Sequence, residues 1–344
     1  MNIKRLSAVS VILILFCLFI ISTFLWNSVY LPKNPGLMQK VRFSVEKGEG
    51  AKEIAADLKE VDLIKYSSIF RVYALVTGAS KNLQAGDYLL SPDMNIPEII
   101  EMMVSGQILK KKITILEGWD LNKIGTYLED NEIGSREEFF KLVGQPVSGY
   151  PSDLVKDFNQ DFDFLKDKPK SSNLEGYLFP DTYEVLASDD LESIVKKILS
   201  HFDKKFSSSL EDEIARQKKS IFEIITMASL IEKEVRTFED KKIVSGILWK
   251  RLGIDMPLQV DASIIYITGR EMTREQVYLN SSYNTYRNKG LPPGPISSPG
   301  LESILAAAYP TGSDYFYYLS APSGKTIFSR TLDEHNIARN KYLK

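Results

Sequence analysis

A segment of 27 consecutive residues without a charged side chain, 6–32, constrains this chain more than any other feature. About 20 apolar residues in a helix suffice to cross the hydrocarbon core of a bilayer. Two basic residues precede the segment, and Trp26 and Tyr30 lie near its far end, as aromatic side chains do at a membrane–water interface. We therefore predict an uncleaved transmembrane anchor, with residues 1–5 in the cytoplasm and everything after residue 32 outside. A cleaved signal peptide is the alternative, but its apolar core would be shorter and would end in a small-residue cleavage site.

The residue inventory limits the chemistry available to the chain. Its formal charge is −2 over 344 residues, so no basic surface for nucleic acid is indicated. The single cysteine, Cys17, excludes an intrachain disulfide, and two histidines, His201 and His335, are too few for most histidine metal sites. We expect no metal, no cofactor and no nucleic-acid partner, and chemistry that uses carboxylates, hydroxyls and amides.

The stretch 220–236 predicts a buried helix with carboxylates at its end. Ser220 and Glu223 have the spacing of a capping box, which predicts a helix that starts directly after Ser220. The following turns are apolar on nearly every side, which is typical of a helix inside a domain. Glu232 and Glu234 follow, and burial there would raise the pKa of a carboxyl group and suit it to general acid catalysis. The alternative is that both glutamates mark the point where the helix reaches the surface.

Glu232 and Glu234 are predicted to face different surroundings. Residues two apart on a helix point about 200° apart, so both side chains cannot enter one groove. Glu232 shares a line with Ala228 and Ser229, whose small side chains would leave room for a ligand, whereas Glu234 lies over the bulkier Leu230. We therefore predict Glu232 as the catalytic residue and Glu234 as a secondary candidate.

A strand–turn–helix pattern occurs twice in the sequence, 70 positions apart. The residues of the first copy and their counterparts in the second are Phe43, Val45, Gly48, Ile54 and Leu58, and Ile113, Ile115, Gly118, Ile124 and Leu128. Each copy predicts a short strand, a turn that ends in glycine, and an amphipathic helix. Chance similarity between two common units is the alternative.

The rest of the chain divides by composition. Residues 131–172 are polar and irregular, which predicts a connector or surface insertion. The aromatic-rich stretch 174–183 suits either a sugar-binding groove or ordinary core packing. Residues 256–266 are predicted as a strand or extended edge, because Gln259 and Asp261 alternate with Val260. Elements predicted elsewhere are helices near 66–77, 96–105, 190–204, 208–218, 238–251 and 301–308, a strand at 86–90, and a hairpin of 315–319 with 326–329.

Seven motifs in order resemble the YceG-like family of endolytic murein transglycosylases. They are Glu175–Tyr183, Ala228–Glu234, Leu258–Asp261, Tyr283–Tyr286, Gly290–Gly294, Ser298–Gly300 and the pair His335-Asn336. Earlier in the chain, Leu83–Tyr88 and the predicted helix Ile96–Met103 resemble a LysM-like module. The chain departs from the family pattern at 262–263, where Ala-Ser replaces the usual Pro-Thr, and at Lys250, where Asn is usual.

The resemblance implies an α+β fold with a particular domain order. An N-terminal transmembrane helix leads to a small LysM-like αβ module and then to a mixed α+β catalytic domain with a mainly helical core. The expected ranges are 1–5 for the cytoplasmic tail, 6–32 for the anchor, 41–130 for the LysM-like module, 131–172 for the connector or insertion, and 173–344 for the catalytic domain.

The resemblance also implies an activity. The enzyme would cleave the bond between N-acetylmuramic acid (MurNAc) and N-acetylglucosamine (GlcNAc) in nascent glycan strands, leave 1,6-anhydro-MurNAc ends, and so terminate strand elongation. Glu232 would be the single acid/base. The candidate substrate-binding residues are Glu175, Tyr183, Ser229, Gln259, Asp261, Tyr283, Asn284 and Tyr286.

The expected location and partners follow from the same resemblance. The protein would be held in a bacterial cell membrane, the inner one where there are two, by one helix with its N-terminus in the cytoplasm and its catalytic domain outside. Its partners would be peptidoglycan glycan strands and the wall-synthesis machinery, including penicillin-binding proteins.

Two other functions stay open at the level of sequence. One is a hydrolytic muramidase in which Asp261 or Glu234 positions a water molecule. The other is a non-catalytic, membrane-tethered scaffold that binds glycan, although a scaffold would not need the Glu-Lys-Glu triplet at a buried helix end. Anhydro ends, reducing ends or no cleavage would distinguish the three.

Overall fold

The computed structural model describes residues 3–146, 156–170, 172–186 and 189–343, which form a mixed α+β fold of thirteen α-helices and six short strands. The strands pair into three separate two-stranded sheets. The chain divides into two units, Met1–Lys112 with Glu184–Asp189, and Ile113–Tyr183 with Asp190–Lys344.

The helices and strands are as follows in chain order. Those up to residue 114 are α1 (Ile3–Tyr30), β1 (Val41–Val45), α2 (Ala51–Glu60), α3 (Ser67–Val76), β2 (Gly86–Leu90), α4 (Ile96–Ser105) and β3 (Lys110–Thr114). Those that follow are α5 (Leu121–Asp130), α6 (Arg136–Val143), β4 (Thr182–Leu186), α7 (Leu191–Lys205), α8 (Ser208–Arg216), α9 (Ile221–Glu232), α10 (Phe238–Gly253), α11 (Asp261–Thr268), α12 (Leu301–Ala308), β5 (Tyr317–Ser320), β6 (Thr326–Ser329) and α13 (Leu332–Tyr342).

Helix α1 contains the predicted anchor. Its segment Ser10–Tyr30 has 21 residues and is long and apolar enough to cross a membrane. Large apolar side chains along it are exposed, including Phe19 and Ile12. A single N-terminal apolar helix of this length fits a single-pass membrane anchor.

The first unit has its own hydrophobic core beneath a small sheet. Strands β1 and β2 pair antiparallel, with Val41 opposite Leu90. Helices α2, α3 and α4 contribute fully buried side chains to this core, among them Leu58, Phe70 and Met103. The alternation of buried and exposed residues along β1 places one face of the strand on the core.

The 70-residue repeat is present in the structure and extends beyond its predicted opening. Helices α2 and α5 occupy corresponding positions, and the turns before them contain Gly48 and Gly118 with φ of 97° and 73°, which favour glycine. In each copy a second helix follows (α3, α6), then a strand that pairs with the first (β2, β4), and then a third helix (α4, α7). An insertion of residues 144–181 separates α6 from β4 in the second copy and hides this correspondence in the sequence.

Helix α9 is the centre of the second unit. It begins at Ile221 as predicted, because Ser220 and Glu223 form the expected capping box: the Ser220 N–H donates to Glu223 Oε2 at 2.8 Å and the Glu223 N–H to Ser220 Oγ at 3.1 Å. Residues from Ile224 to Ile231 are all buried. Helices α8, α10 and α12 pack against α9, so only its ends approach the surface.

The predicted irregular connector 131–172 contains a helix. Helix α6 starts at a capping box formed by Ser135 and Glu138, and it buries Phe139 and Phe140. The polar residues around this short apolar stripe concealed it in the sequence. Residues 147–155 and 171 of the predicted connector lie outside the described residues.

The prediction of a strand or extended edge over 256–266 is wrong in its second half. Gln259 has a φ of 54°, which turns the chain, and α11 begins two residues later at Asp261. The alternation of exposed Gln259 and Asp261 with buried Val260 comes from this turn into a helix.

Candidate active site

Glu232 is the last residue of α9, and three donors from two other helices hold its carboxylate. Oε2 accepts hydrogen bonds from the Gly300 N–H at 3.0 Å and the Ser303 hydroxyl at 2.6 Å, and it lies 3.4 Å from Lys241 Nζ. The side chains of Glu232 and Lys241 are 8% and 4% exposed. All three donors reach Oε2, whereas Oε1 has no hydrogen-bond partner among the described residues. One oxygen is therefore held by the protein, and the other makes no hydrogen bond to the described residues.

The first turn of α12 positions two of these donors. Gly300 is the N-cap residue of α12, and Ser303 is its third helical residue. The first N–H groups of a helix have no partner inside the helix, and the helix dipole favours negative charge there. The Glu232 carboxylate supplies that charge and caps α12 from outside.

Ser229, a predicted substrate-binding residue, is fully buried where α9 contacts the segment 296–300. Its hydroxyl donates to the Thr226 carbonyl at 2.7 Å and accepts from the Ile296 N–H at 3.0 Å. Its carbonyl accepts from the Ser297 hydroxyl at 3.1 Å. The small side chain therefore makes room for a segment of the protein, not for a ligand as the sequence analysis expected.

Glu117 brings a second carboxylate to this site. A Cβ atom on Gly300 would overlap the Glu117 carboxylate, so that carboxylate rests against the bare Cα of Gly300. Partial burial, and after it the charge of Glu232, raise the pKa of Glu117, while the Lys241 ammonium opposes this shift. The sequence predicts only a repeat turn at position 117 and no role for it in the site.

The turn that contains Glu117 is fixed to the segment before α12. The Gly118 N–H donates to the Ser298 carbonyl at 2.8 Å, and the Ser298 N–H donates to the Trp119 carbonyl at 2.6 Å. Lys233 Nζ donates to the Gly118 carbonyl at 3.2 Å. These bonds place Glu117 beside Gly300. The glycine repeated at 48 and 118 is the one sequence signal that points to this turn.

Glu234 lies beyond the end of α9 and faces a different group of side chains. The Tyr318 side chain and the Ala262 backbone lie beside its carboxylate. Burial, and after it the charge of Asp261, raise the pKa of Glu234 to about 7. The two glutamates of the triplet therefore have separate partners. Because α9 ends at Glu232, the predicted angle between residues two apart on one helix does not apply to Glu234.

Three predicted groove residues lie in this second region. Asp261 accepts a hydrogen bond from the Tyr286 hydroxyl, and burial together with this bond raises the pKa of Tyr286. The Gln259 N–H donates to the Thr285 carbonyl at 3.0 Å. Gln259 and Asp261 are exposed, and one oxygen of each side chain accepts a hydrogen bond, from Arg251 and from Tyr286 respectively.

Glu175 is fully buried, although the sequence analysis placed it among the substrate-binding residues. Both of its carboxyl oxygens lie 3.2 Å from the Leu121 nitrogen, and the Tyr266 hydroxyl donates to Oε2 at 3.1 Å. Burial, and after it the charge of Asp120, raise the pKa of Glu175 to about 8. The Tyr283 ring packs 5.3 Å from the Tyr266 ring, so Glu175 supports this aromatic pair from the interior.

Tyr183 and Asn284 also hold protein segments together. The Tyr183 hydroxyl donates to the Phe179 carbonyl at 2.6 Å, and the Tyr183 side chain is buried. The Asn284 amide donates to the Val277 and Leu279 carbonyls at 2.9 and 2.8 Å. Neither side chain is exposed to a ligand in this arrangement.

Two clusters of polar side chains thus lie at the end of α9. We call them the Glu232 cluster (Glu232, Glu117, Lys241, Gly300 and Ser303) and the Glu234 cluster (Glu234, Asp261, Tyr286 and Tyr318). In the part of the chain that the structure describes, no group of three or more His, Cys, Asp or Glu side chains could hold a metal ion. The Glu232 cluster can give and take a proton at the carboxyl oxygen that the protein does not hold, and the Glu234 cluster includes the exposed Asp261.

Comparisons with known proteins point to one family. The model of the YceG-like family matches residues 43–341. A Bacillus subtilis (strain 168) protein named endolytic murein transglycosylase is 33% identical over 315 residues, which are 88% of this chain and 85% of that protein. A protein of the same name from Streptococcus pneumoniae serotype 2 is 29% identical over 332 residues, and the match spans 59% of its length. The 2.6 Å crystal structure of a YceG-like protein from Listeria monocytogenes is 34% identical, with a TM-score of 0.56 over 88% of this chain and 99% of that one.

Proposed function

Because the chain belongs to the YceG-like family, we propose that it is an endolytic peptidoglycan lytic transglycosylase. It cleaves the MurNAc–GlcNAc bond of nascent glycan strands, leaves 1,6-anhydro-MurNAc ends, and so terminates strand elongation. The name shared by the curated relatives, endolytic murein transglycosylase, supports the substrate class. The Glu232 cluster supports the chemistry.

Glu232 acts first as an acid and then as a base. Protonated Glu232 donates its proton to the glycosidic oxygen while the bond from MurNAc C1 to that oxygen breaks, and the bonding electrons leave with the GlcNAc oxygen. The Glu232 carboxylate then takes the proton of the MurNAc C6 hydroxyl as that oxygen bonds to C1. The proton returns to Glu232 and no water is consumed, so one carboxyl group suffices where ordinary glycoside hydrolases use two.

The observation that carries this proposal is the asymmetry of the Glu232 carboxylate. Three donors converge on Oε2, while Oε1 has no partner among the described residues. A group that moves a proton must be held in a fixed orientation with one oxygen within reach of the substrate. The buried Glu175 differs, because the Leu121 nitrogen lies 3.2 Å from both of its carboxyl oxygens.

The Glu234 cluster is the proposed contact surface for the glycan. The exposed polar side chains of Gln259 and Asp261, together with Tyr286, offer hydrogen bonds to sugar hydroxyl and amide groups. The Ser320 hydroxyl donates to the Glu234 carbonyl at 2.8 Å and joins the chain after α9 to the end of β5.

The first unit is the proposed wall-facing module, tethered to the cell membrane by α1. Its strand–helix–helix–strand order and antiparallel β1–β2 pair support a LysM-like, glycan-binding role within 41–130, and a spacer between membrane and active site is the alternative. Two basic residues, Lys4 and Arg5, before the apolar segment support a cytoplasmic N-terminus. A partnership with penicillin-binding proteins would follow from action on strands under synthesis.

Product analysis tests the activity. The full-length protein in detergent is incubated with uncrosslinked glycan strands, and the fragments are identified by mass spectrometry. Anhydro-MurNAc ends, which lack one water relative to reducing ends, are the expected result. Reducing ends would identify a hydrolytic muramidase, and intact strands would favour the non-catalytic scaffold.

A further inference from the structure

We propose that an exposed apolar side of α3 is a membrane-contact surface, which lies against lipid at the end of the span where α1 leaves the bilayer. The surface consists of Val72, Leu75 and Val76, and we call it the α3 face. Its occupant is the headgroup and upper acyl region of the bilayer. The inference goes beyond the transglycosylase function and does not depend on it.

The α3 face is an apolar patch on one side of a ten-residue helix. Val72, Leu75 and Val76 are 58%, 71% and 79% exposed. Their spacing of three and four positions places them on one side of the helix. On the opposite side, Phe70 and Ala74 are fully buried in the core of the first unit. Single exposed apolar residues are common, but a group of them on one helix face is the pattern of a surface that contacts a protein or a membrane.

Helix α3 lies along the last turns of α1. The Tyr66 ring lies 5.7 Å from the Phe24 ring, and the Tyr73 ring lies 6.5 Å from the Tyr30 ring. Phe24 and Tyr30 both belong to the apolar segment Ser10–Tyr30. Phe24 precedes the end of that segment by six residues, which is about 9 Å along a helix. A bilayer that surrounds the segment therefore also reaches the helix packed beside it.

The α3 face is continuous with the side of α3 that contacts α1. Ile69 lies between the two sides, three positions before Val72 and four before Tyr73, and it is half-buried. Lipid in contact with the last turns of α1 would meet Tyr73, Ile69 and then the α3 face. The membrane around the anchor thus supplies an occupant for this surface without a second protein.

The charges around the α3 face suit a bilayer that contains anionic lipid. Between Asp62 and Asp87 the chain has three charged side chains, Lys65, Arg71 and Lys81, and all three are basic and exposed. This excess is local, since the whole chain has a formal charge of −2. Basic side chains beside an apolar helix face are typical of helices that lie in the membrane interface and attract anionic headgroups.

Spin labels identify the occupant, because oxygen concentrates in lipid and a water-soluble nickel complex concentrates in water. The full-length chain is placed in vesicles of phosphatidylethanolamine and phosphatidylglycerol. Cys17, the native cysteine within α1, carries the label in the parent. In a Cys17→Ser background, Val72→Cys, Leu75→Cys and Lys52→Cys carry the label one at a time, and thermal melting checks that each chain is folded.

Lys52→Cys is the matched control on the same unit. Lys52 is exposed in the first turn of α2. The other end of α2 leads to Asp62, which pairs with Lys33 just after α1. A ten-residue helix is about 15 Å long, so Lys52 lies well away from the end that approaches the anchor.

The α3 face should resemble position 17 and differ from position 52. The ratio of oxygen to nickel collision rates at 72 and 75 should be severalfold higher than at 52. Nickel collision rates at 72 and 75 that equal the rate at 52 would show water at the α3 face and overturn the proposal. Low rates with both reagents would show a protein contact, such as a second copy of this chain, and would overturn it too. A water-exposed label at 17 would refute the anchor and, with it, the membrane contact.

Discussion

The Ser303 hydroxyl donates a 2.6 Å hydrogen bond to Oε2 of Glu232 and so joins the first turn of α12 to the last residue of α9. Because Gly300 donates to the same oxygen, the carboxylate is fixed at two points on one helix terminus. The proposed chemistry depends on this fixation, since a carboxyl group that rotated freely would seldom face the glycosidic oxygen.

Ser303→Ala should lower activity while the protein stays folded. The variant removes one of the donors that orient Glu232, and a buried hydrogen bond to a charged group contributes about 1.5–3 kcal/mol. We expect the rate of anhydro-end release to fall by about tenfold or more at unchanged substrate concentration. Ser245→Ala is the matched control, because Ser245 is equally buried and its hydroxyl has no partner among the described residues. Equal rates for the two variants would contradict the orienting role of Ser303.

Substitutions of Glu175 should affect stability according to whether hydrogen-bonding atoms are kept. The pKa of Glu175 is raised to about 8, so the carboxyl group is mostly neutral at pH 7. Glu175→Gln keeps a neutral group of similar shape and should change the melting temperature little at pH 7. Glu175→Ala leaves the Leu121 N–H and the Tyr266 hydroxyl without their buried acceptor and adds a cavity, which should cost about 3 kcal/mol or more in unfolding free energy. Similar melting temperatures for Gln and Ala would show that this bonding contributes little.

Local sequence signals were sufficient for most elements. The Ser220–Glu223 spacing fixed the start of α9, and the segment after Gly300 predicted α12 with its observed bounds, 301–308. Such features depend on residues three or four positions apart, which the sequence displays directly.

The active site was harder to predict because its contacts join distant parts of the chain. Glu117 meets Gly300 only after the second copy of the repeat packs in the second unit, and no periodicity encodes that contact. Residue type was also misleading for Glu175 and Ser229, whose polar groups are satisfied inside the protein. Burial and hydrogen-bond partners separate such residues from functional ones, and both are tertiary properties.

Glu234 should make stability depend on pH in a defined direction. Its pKa is raised from 4.5 to about 7, so between these values the folded state binds more protons than the unfolded state. The unfolding free energy contributed by this group therefore falls as pH rises from about 4.5 to about 7. Glu234→Gln removes that contribution. The difference in melting temperature, variant minus parent, should therefore increase between pH 4.5 and pH 8. Glu239→Gln alters an exposed carboxylate, and its difference in melting temperature from the parent should not increase with pH. A constant difference for Glu234→Gln would contradict the raised pKa.

The anchor should place the bulk of the chain outside the cell membrane. The uncharged segment 6–32 follows two basic residues, which favours a cytoplasmic N-terminus. Protease added to intact spheroplasts should digest the 39.0 kDa chain, whereas a tag placed before residue 6 should be cleaved only after lysis. Protection of the C-terminal part in intact spheroplasts would show the opposite orientation.

The most direct measurement of the central claim is the release of anhydro-muropeptides by Glu232→Gln, with Glu234→Gln as the matched control in the same triplet. Loss of a general acid costs about 10²–10⁴ in rate. We predict that Glu232→Gln all but abolishes release while its thermal transition stays near that of the parent, and that Glu234→Gln retains more activity or loses stability instead. Cleavage of glycan by Glu232→Gln at the parental rate would contradict the assignment of Glu232 as the acid/base.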